Sequence, residues 1–329
     1  MNLTRRNFVK LAGIAGLVGI VSELAGCSDN ATVTQSVAEA DKLPPADKAT
    51  VYFSKTIDAE HLIALYKKIN SEITGRVGIK VHTGEPNGPN ILPRDMVQAF
   101  QAQIPNSAII ETNTLYGGAR STTERHRRTL KINGWTFCPV DILDEEGDVN
   151  FPVKKGFHLS EVAMGSHLTN YDSLIVLTHF KGHAMGGFGG SLKNIAIGCA
   201  SGKVGKLQIH GDDWETGNVF LERMVDSGKA ICDHFGRKIV FINVLQRLSV
   251  DCDCVGAGAS APVLPDLGIL ASTDILAVDQ AAVDMIYKFP DDRKNDLITR
   301  IESRSGRRQL TAMAELQMGT PKYELISID

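Results

Sequence analysis

A glycine-rich segment in the middle of the chain brings histidine and lysine residues into close spacing. Lys181 and His183 precede the glycines, and Lys193 follows them. Imidazole and amine groups can transfer protons or hold an anion, so these three are the candidate catalytic residues. The glycines allow close backbone approach, and a helix beginning near Ser191 would add its positive end. The predicted ligand contacts in this segment are Gly187, Gly189, Gly190, Ser191 and Asn194.

Two further loops carry polar side chains after predicted strands. The first contains His82 and Glu85, and the second contains Asn113, Tyr116 and Arg120. If the sheet is parallel, the strands end at one edge, where α/β proteins bind their ligands. We therefore predict that the three loops meet around a small anionic molecule. Glycine, asparagine and proline also form ordinary turns, so a structural role for these loops stays open.

Two cysteines that lie two residues apart, together with three histidines, are candidate metal ligands. Thiolate and imidazole are typical ligands of transition metals. The candidates are His179, His183, His210, Cys252 and Cys254. The thiols could bind a metal ion, act in redox chemistry or be inert. Paired C-x-x-C elements are absent, which argues against a ferredoxin-type iron–sulfur cluster, and the cofactor is otherwise unknown.

Alternating strand and helix patterns must position these loops. The run from Ser173 to Thr178 is almost wholly apolar, which is typical of a central strand buried on both faces, and helical spacing extends from Glu215 to Phe235. The alternation predicts an α/β fold with a mostly parallel sheet flanked by helices in a three-layer sandwich.

The amino-terminal segment has the pattern of an export signal. Arg5 and Arg6 precede an apolar run from Leu11 to Val21, which is short for a membrane span, and Cys27 follows a lipobox-like sequence. We predict a twin-arginine signal peptide at residues 1–26, a flexible tether at 27–48 and an α/β domain of one or two lobes at 49–329. A lipid on Cys27 would anchor the protein in the cell envelope, on the periplasmic or the surface side.

The amino-acid composition also limits the kinds of partner that we expect this protein to bind. The 329 residues include 35 basic and 38 acidic side chains, for a formal net charge of −3, and 43% of the residues are hydrophobic. This is ordinary globular composition. Because no global positive field exists, nucleic acid is not an expected partner. The expected partners are a small anionic molecule and, through the lipid, a membrane.

Several motifs together resemble one known family. They are Val81-His-Thr-Gly-Glu-Pro, Glu111-Thr-Asn-Thr-Leu-Tyr, the segment from His179 to Asn194, Asp251-Cys-Asp-Cys254 and the segment from Asp266 to Asp274. The sequence is similar to the domain of unknown function 362 family over roughly residues 50–329. Many relatives carry a ferredoxin-like segment that this chain lacks, and the family name implies no established reaction.

A fainter similarity is to the amino-terminal domain of nickel-dependent lactate racemases. In those enzymes a histidine and a lysine bracket a glycine-rich stretch that holds a pyridinium pincer cofactor, and His183 and Lys193 are similarly placed. This resemblance implies a hydroxy-acid racemase as one alternative. Our main hypothesis is a metal- or cofactor-assisted enzyme for a small anionic compound, either an oxidoreductase or an isomerase. The other alternative is a binding protein that captures an anion without chemistry.

Overall fold

The computed structural model describes residues 47–329. The predicted signal peptide, most of the predicted tether and Cys27 lie outside this range. The strands are β1 Ala49–Ser54, β2 Val77–Lys80, β3 Ser107–Glu111, β4 Val140–Ile142, β5 Asp148–Pro152, β6 Glu161–Gly165, β7 Ser173–His179, β8 Lys181–His183, β9 Gly187–Gly189, β10 Ile239–Leu245, β11 Gly268–Ser272 and β12 Tyr323–Ser327. The helices are α1 Ala59–Tyr66, α2 Arg94–Gln101, α3 Thr123–Ile132, α4 Ser191–Gly198, α5 Gly205–His210, α6 Asn218–Phe235, α7 Ile275–Tyr287, α8 Asn295–Ser303 and α9 Arg308–Glu315.

Eight strands form the central sheet in the order β12-β1-β11-β10-β7-β2-β3-β4. Every neighbouring pair is parallel except the two that β11 makes with β1 and β10. Strands β5 and β6 form a separate antiparallel pair, and so do β8 and β9. The predicted α/β fold with a mostly parallel sheet is confirmed.

Helices cover both faces of this sheet, because its central strands are apolar on both sides. In β7, Leu174 and Val176 belong to one apolar cluster, whereas Ile175 and Leu177 belong to the other. Successive side chains of a strand point to opposite faces, so a continuous apolar run must be covered twice. Each fully buried Leu or Ile contributes about 1.5–3 kcal/mol to folding. Helices α4, α6 and α7 pack on one side, and α1 and α2 on the other.

The long helix α6 begins three residues later than the sequence pattern predicts. Gly217 precedes it with φ +72°, a left-handed conformation that an α-helix does not contain. The predicted carboxyl end at Phe235 is confirmed. No helix within residues 47–329 has both the length and the apolar character that crossing a membrane requires.

The parallel strands β2, β3, β7 and β10 end at a common edge of the sheet. Their register is continuous, since Val77 pairs with Ser107 on one side and with Ser173 on the other. The four loops that carry the predicted chemical groups follow these four strands directly. The topology therefore places the loops around one space at the carboxyl ends of the strands.

Candidate functional site

A cavity of about 230 Å³ lies at this edge of the sheet, between the four loops and helices α4 and α5. Its charged and imidazole side chains come from elements far apart in the chain. They are Lys80, His82, Glu111, Arg120, Lys181, His183, Lys193, Lys206 and His210. Five of these nine are Lys or Arg and one is acidic, so the cavity is strongly basic although the whole chain is slightly acidic.

Most of the cations are neutralised by the protein itself. The ammonium of Lys80 lies 3.1 Å from Glu111 Oε2 and donates to Asn194 Oδ1 at 3.1 Å. Burial opposes the charged form of Glu111, but Lys80 and His82 outweigh it and hold the pKa of this carboxyl well below its usual range. The guanidinium of Arg120 donates to Glu85 Oε1 at 2.8 Å. These groups form a fixed buried network.

Lys206 is held by neutral acceptors. Its ammonium donates to Thr112 Oγ1, to Asn113 O at 2.6 Å and to Ala200 O at 2.8 Å. Because burial disfavours the charged form, the pKa of Lys206 falls to about 8. All three donors are occupied, so Lys206 has none left for a ligand.

Lys193 differs from every other cation of the cavity. No hydrogen bond or ion pair joins its ammonium to any residue between 47 and 329, and the side chain is half-buried against the cavity. Its positive charge lowers the pKa values of His183, His210 and Cys252. Lys193 is therefore the charge that the described part of the chain leaves open for an anion.

His183 presents a hydrogen rather than a lone pair to the cavity. Its Nδ1 accepts the backbone N–H of Gly186 at 2.9 Å and that of Met185 at 3.2 Å. A ring nitrogen that accepts hydrogen bonds carries no hydrogen, so the neutral ring holds it on Nε2. Burial and the charge of Lys193 also push the pKa of His183 well below its usual range. The residue is a neutral donor beside Lys193.

Cys252 and Cys254 lie next to this imidazole. The ligand atoms of His183 and the two thiols are all within 4.8 Å of one another. The Cys254 thiol hydrogen-bonds to Cys252, and this bond, with the charges of Lys193 and His82, lowers the pKa of Cys252 well below its usual range. The same bond and burial raise the pKa of Cys254. Cys252 is therefore the more acidic thiol of the pair, and Cys254 lines the cavity.

His179 does not line the cavity but contacts Asp253, which lies between the two cysteines in sequence. Its Nδ1 lies 2.8 Å from Asp253 Oδ2 and its Nε2 lies 2.7 Å from Gln246 O. Both nitrogens face oxygen acceptors, so neither lone pair is free for a metal. Lys181 also contacts Asp253 Oδ2, at 3.1 Å. Asp253, between the two cysteines in sequence, thus ties their loop to the loop after β7.

His210 lies on an aromatic wall, apart from the thiols. Its ring stacks on Phe220 with centroids 5.0 Å apart and lies 4.7 Å from Trp214. Burial lowers the pKa of His210 to about 4, so the ring is neutral. Its buried Nδ1 has no hydrogen-bond partner within the described residues. An unpaired buried nitrogen beside a cavity is a feature that a bound ligand would explain.

The amino terminus of helix α4 does not face the ligand, contrary to the sequence-based expectation. Asp279 accepts the backbone N–H groups of Ser191 at 2.7 Å and of Leu192 at 3.0 Å. A Cβ on Gly190 would lie 2.5 Å from Asp279 Oδ1. This glycine therefore allows a carboxylate of the protein to approach the helix end. The carboxylate of Asp279, and not a ligand, therefore makes the favourable interaction with the dipole of helix α4.

The structure brings most of the predicted residues to the cavity. Those that line it are His82, Tyr116, Arg120, Lys181, His183, Gly189, Gly190, Lys193, Asn194, His210 and Cys254. Cys252 and Glu85 contact lining residues from behind. Four others lie outside the lining: Asn113, His179, Gly187 and Ser191. Asn113 bonds to Thr123, and Gly187 packs against Gly306.

Sequence reasoning missed several lining residues. Lys80 and Glu111 end strands β2 and β3, and their place just before the predicted loops could have indicated them. Lys206, Trp214 and Phe220 come from α5, the following loop and α6, which carry no recognisable motif. These residues reach the cavity only because the chain returns to it after α4.

Comparison with known proteins identifies the family. The profile described as "Domain of unknown function (DUF362)" matches residues 77–284, more than half of the chain. The chain therefore belongs to this family, as its motifs suggested. No curated protein matches the sequence.

Two solved structures are similar in part. The lactate racemase apoprotein from Thermoanaerobacterium thermosaccharolyticum matches 72% of this chain and 57% of its own length, with 11% identity and a TM-score of 0.41. A crystallised protein from Thermotoga maritima matches 58% of this chain and 51% of its own, with 11% identity and a TM-score of 0.35. The chain thus spans little more than half the length of either structure.

Proposed function

We propose that this protein is an exported, lipid-anchored enzyme that binds a small anionic compound in the basic cavity and acts on it with the group of His183, Cys252 and Cys254. The observation that carries the proposal is that the ammonium of Lys193, beside this group, pairs with none of the residues 47–329. No residue between 47 and 329 accepts a hydrogen bond from this half-buried ammonium, so its three donors are available to an anion in the cavity. The other cations of the cavity are paired with groups of the protein, and we assign them a structural role.

The thiol pair favours chemistry over simple capture. A capture site needs only fixed charges and hydrogen-bond donors. Here two adjacent thiols are hydrogen-bonded to each other, and the pKa values of His183, Cys252 and Cys254 are all displaced from their usual ranges. Displaced pKa values around a cavity are characteristic of catalytic sites. The capture and hydroxy-acid hypotheses stay predictions.

A metal-assisted form of the reaction requires a rearrangement of His183. Two thiols and an imidazole match the ligand types that zinc prefers. However, Nδ1 of His183 is occupied by two backbone N–H groups, and Nε2 carries the hydrogen. As they stand, the residues offer two ligands rather than three. The geometry therefore supports thiol and imidazole chemistry without a metal better than it supports a metal centre.

Anion binding is tested first, with mass spectrometry of whatever the purified protein retains and with thermal unfolding in the presence of small carboxylates. A bound anion should stabilise the protein by about 2.7 kcal/mol at a hundredfold excess over its Kd. Lys193→Gln should abolish this stabilisation. The matched control is Lys203→Gln, because Lys203 is exposed and does not line the cavity. Equal stabilisation of wild type and both variants would contradict the proposal.

Catalysis and the metal question are tested next. Conversion of the retained compound over time should be lost in Cys252→Ser and in Cys254→Ser, while binding remains. Metal analysis of protein folded in the cytoplasm should find no stoichiometric zinc that depends on His183. A full equivalent of zinc lost in His183→Gln would instead establish the metal-assisted form.

Export and lipidation are tested in the cell. Labelling with a fatty-acid analogue should mark the wild-type chain and not Cys27→Ser. Replacing Arg5 and Arg6 by Lys should leave the chain in the cytoplasm. An unlabelled wild-type chain would remove the anchor from the proposal and leave the cavity chemistry untouched.

A further inference from the structure

Part of the cavity surface is apolar, and a small anion would make little contact with it. Besides its charged groups it is lined by five large apolar side chains from five different segments. These are Leu115, Met185, Ile197, Trp214 and Phe220. A site for a small hydrophilic anion has no need of such a wall, because apolar surface contributes only when an apolar part of the ligand is buried against it.

Three rings give this wall a planar, aromatic character. Phe220, fully buried, lies under the His210 ring with an interplanar angle of 20°, and Trp214 packs against the same His210 ring at 41°. His210 is neutral, so it acts as an aromatic surface rather than as a cation. Trp214 is 43% exposed at the rim. Aromatic surfaces of this kind favour stacking with another ring.

The charges of the cavity favour one negative charge on the ligand. Lys80 is paired with Glu111, Arg120 with Glu85, and Lys181 with Asp253. Lys206 is satisfied by neutral acceptors. Of these five cations, Lys193 alone has no partner in the described part of the chain, and the neutral His183 adds one N–H donor. A monoanionic carboxylate matches a single cation and one donor better than a dianionic phosphate does.

The volume limits the apolar part to about one ring. A cavity of about 150 Å³ in a protein core accommodates benzene. The cavity here measures about 230 Å³, which leaves room for a ring and a small substituent. A three-carbon hydroxy acid would leave most of the aromatic wall uncovered.

We infer that the ligand is an aromatic carboxylate of about one ring, with its carboxylate at Lys193 and His183 and its ring against Trp214 and His210. This inference rests on the proposed function, because it names the class of the anion proposed above. It assigns the aromatic surface of the cavity a role in substrate specificity, beside the charged groups and the thiols.

The test measures the binding of three probes by calorimetry. Benzoate has both the ring and the charge, acetate has the charge alone, and benzyl alcohol has the ring alone. Benzoate should bind at least tenfold more tightly than either of the others. Trp214→Ala should weaken benzoate about tenfold and leave acetate unchanged. The control is Ile132→Ala, because Ile132 is an exposed apolar residue that does not line the cavity.

The outcomes separate the two proposals. Acetate binding as tightly as benzoate, with no effect of Trp214→Ala, would overturn the aromatic inference and leave anion binding intact. Equal binding of benzyl alcohol and benzoate, unaffected by Lys193→Gln, would overturn the anionic site instead. If none of the probes binds, both proposals fail. Trp214 fluorescence, compared with a Trp214→Phe variant that retains only Trp135, gives an independent measure of ring contact.

Discussion

Two groups of cations occupy the same cavity and differ in how their charges are compensated. Lys80 and Arg120 are almost wholly buried and each contacts a carboxylate. Lys193 lies in the same space without any partner from residues 47–329. The difference shows that not every cation lining a basic cavity is available to bind a ligand. Compensated charges hold the loops in place, and the uncompensated one is available to a ligand.

The largest expected effect comes from breaking the compensated group. Glu111→Gln removes the carboxylate that accepts from Lys80 and from the backbone N–H of Thr83. A buried cation left alone costs about 3–5 kcal/mol of stability. Urea unfolding should show this loss. The exposed pair of Glu124 and Arg128 is the control, since Glu124→Gln should change stability by less than about 1 kcal/mol. Similar losses in the two variants would erase the distinction between the regions.

A second variant tests how tightly Lys80 is held. A Cβ on Gly198 would lie 2.2 Å from Lys80 Cε and 2.6 Å from its Nζ. Because Lys80 is buried and bonded at its end, it cannot move aside freely, and Gly198→Ala should cost about 1–3 kcal/mol in urea unfolding. Gly117→Ala is the matched control, since no described residue except its two chain neighbours lies within 4 Å of the added Cβ. An unchanged stability for Gly198→Ala would show that the network is loose.

The pH dependence of stability probes the same network through His126. Burial, followed by the charge of Arg120, lowers the pKa of His126 from 6.5 to about 3. A lowered histidine pKa means that folding favours the neutral ring, so its contribution is complete above pH 6.5 and is lost as the pH falls toward 3. Between pH 7 and pH 5 this amounts to about 2 kcal/mol. His126→Gln should therefore lose less stability than wild type over this interval, and parallel curves would contradict the assignment.

The smallest effect on stability is expected at the uncompensated cation. Lys193→Gln breaks no hydrogen bond or ion pair with any described residue, so its free energy of unfolding should change by less than about 0.5 kcal/mol. Anion affinity should fall at least tenfold. This combination, measured by urea unfolding and by calorimetry on one preparation, separates a binding residue from a scaffold residue. A large loss of stability would place Lys193 with the compensated group.

The loops of the site could be predicted from the sequence, but their internal contacts could not. The strand–helix alternation indicated that the loops of His82, Lys181 and Cys252 follow strands, and a parallel sheet must bring such loops together. The same pattern could not show that Asp253 binds His179, since a carboxylate between two cysteines has no preferred partner in the sequence. It also suggested an open helix end at Ser191, where Asp279 from α7 binds instead.

The sequence by itself determined the family, the layered α/β architecture and the edge of the sheet where the chemistry lies, because periodicity and motif spacing are local properties of the chain. The tertiary structure decided which cations are neutralised, which nitrogen of His183 carries the hydrogen, and that Trp214 and Phe220 form a wall. Those properties depend on distances between residues far apart in sequence, and charge compensation changes with a few ångströms that no sequence pattern encodes.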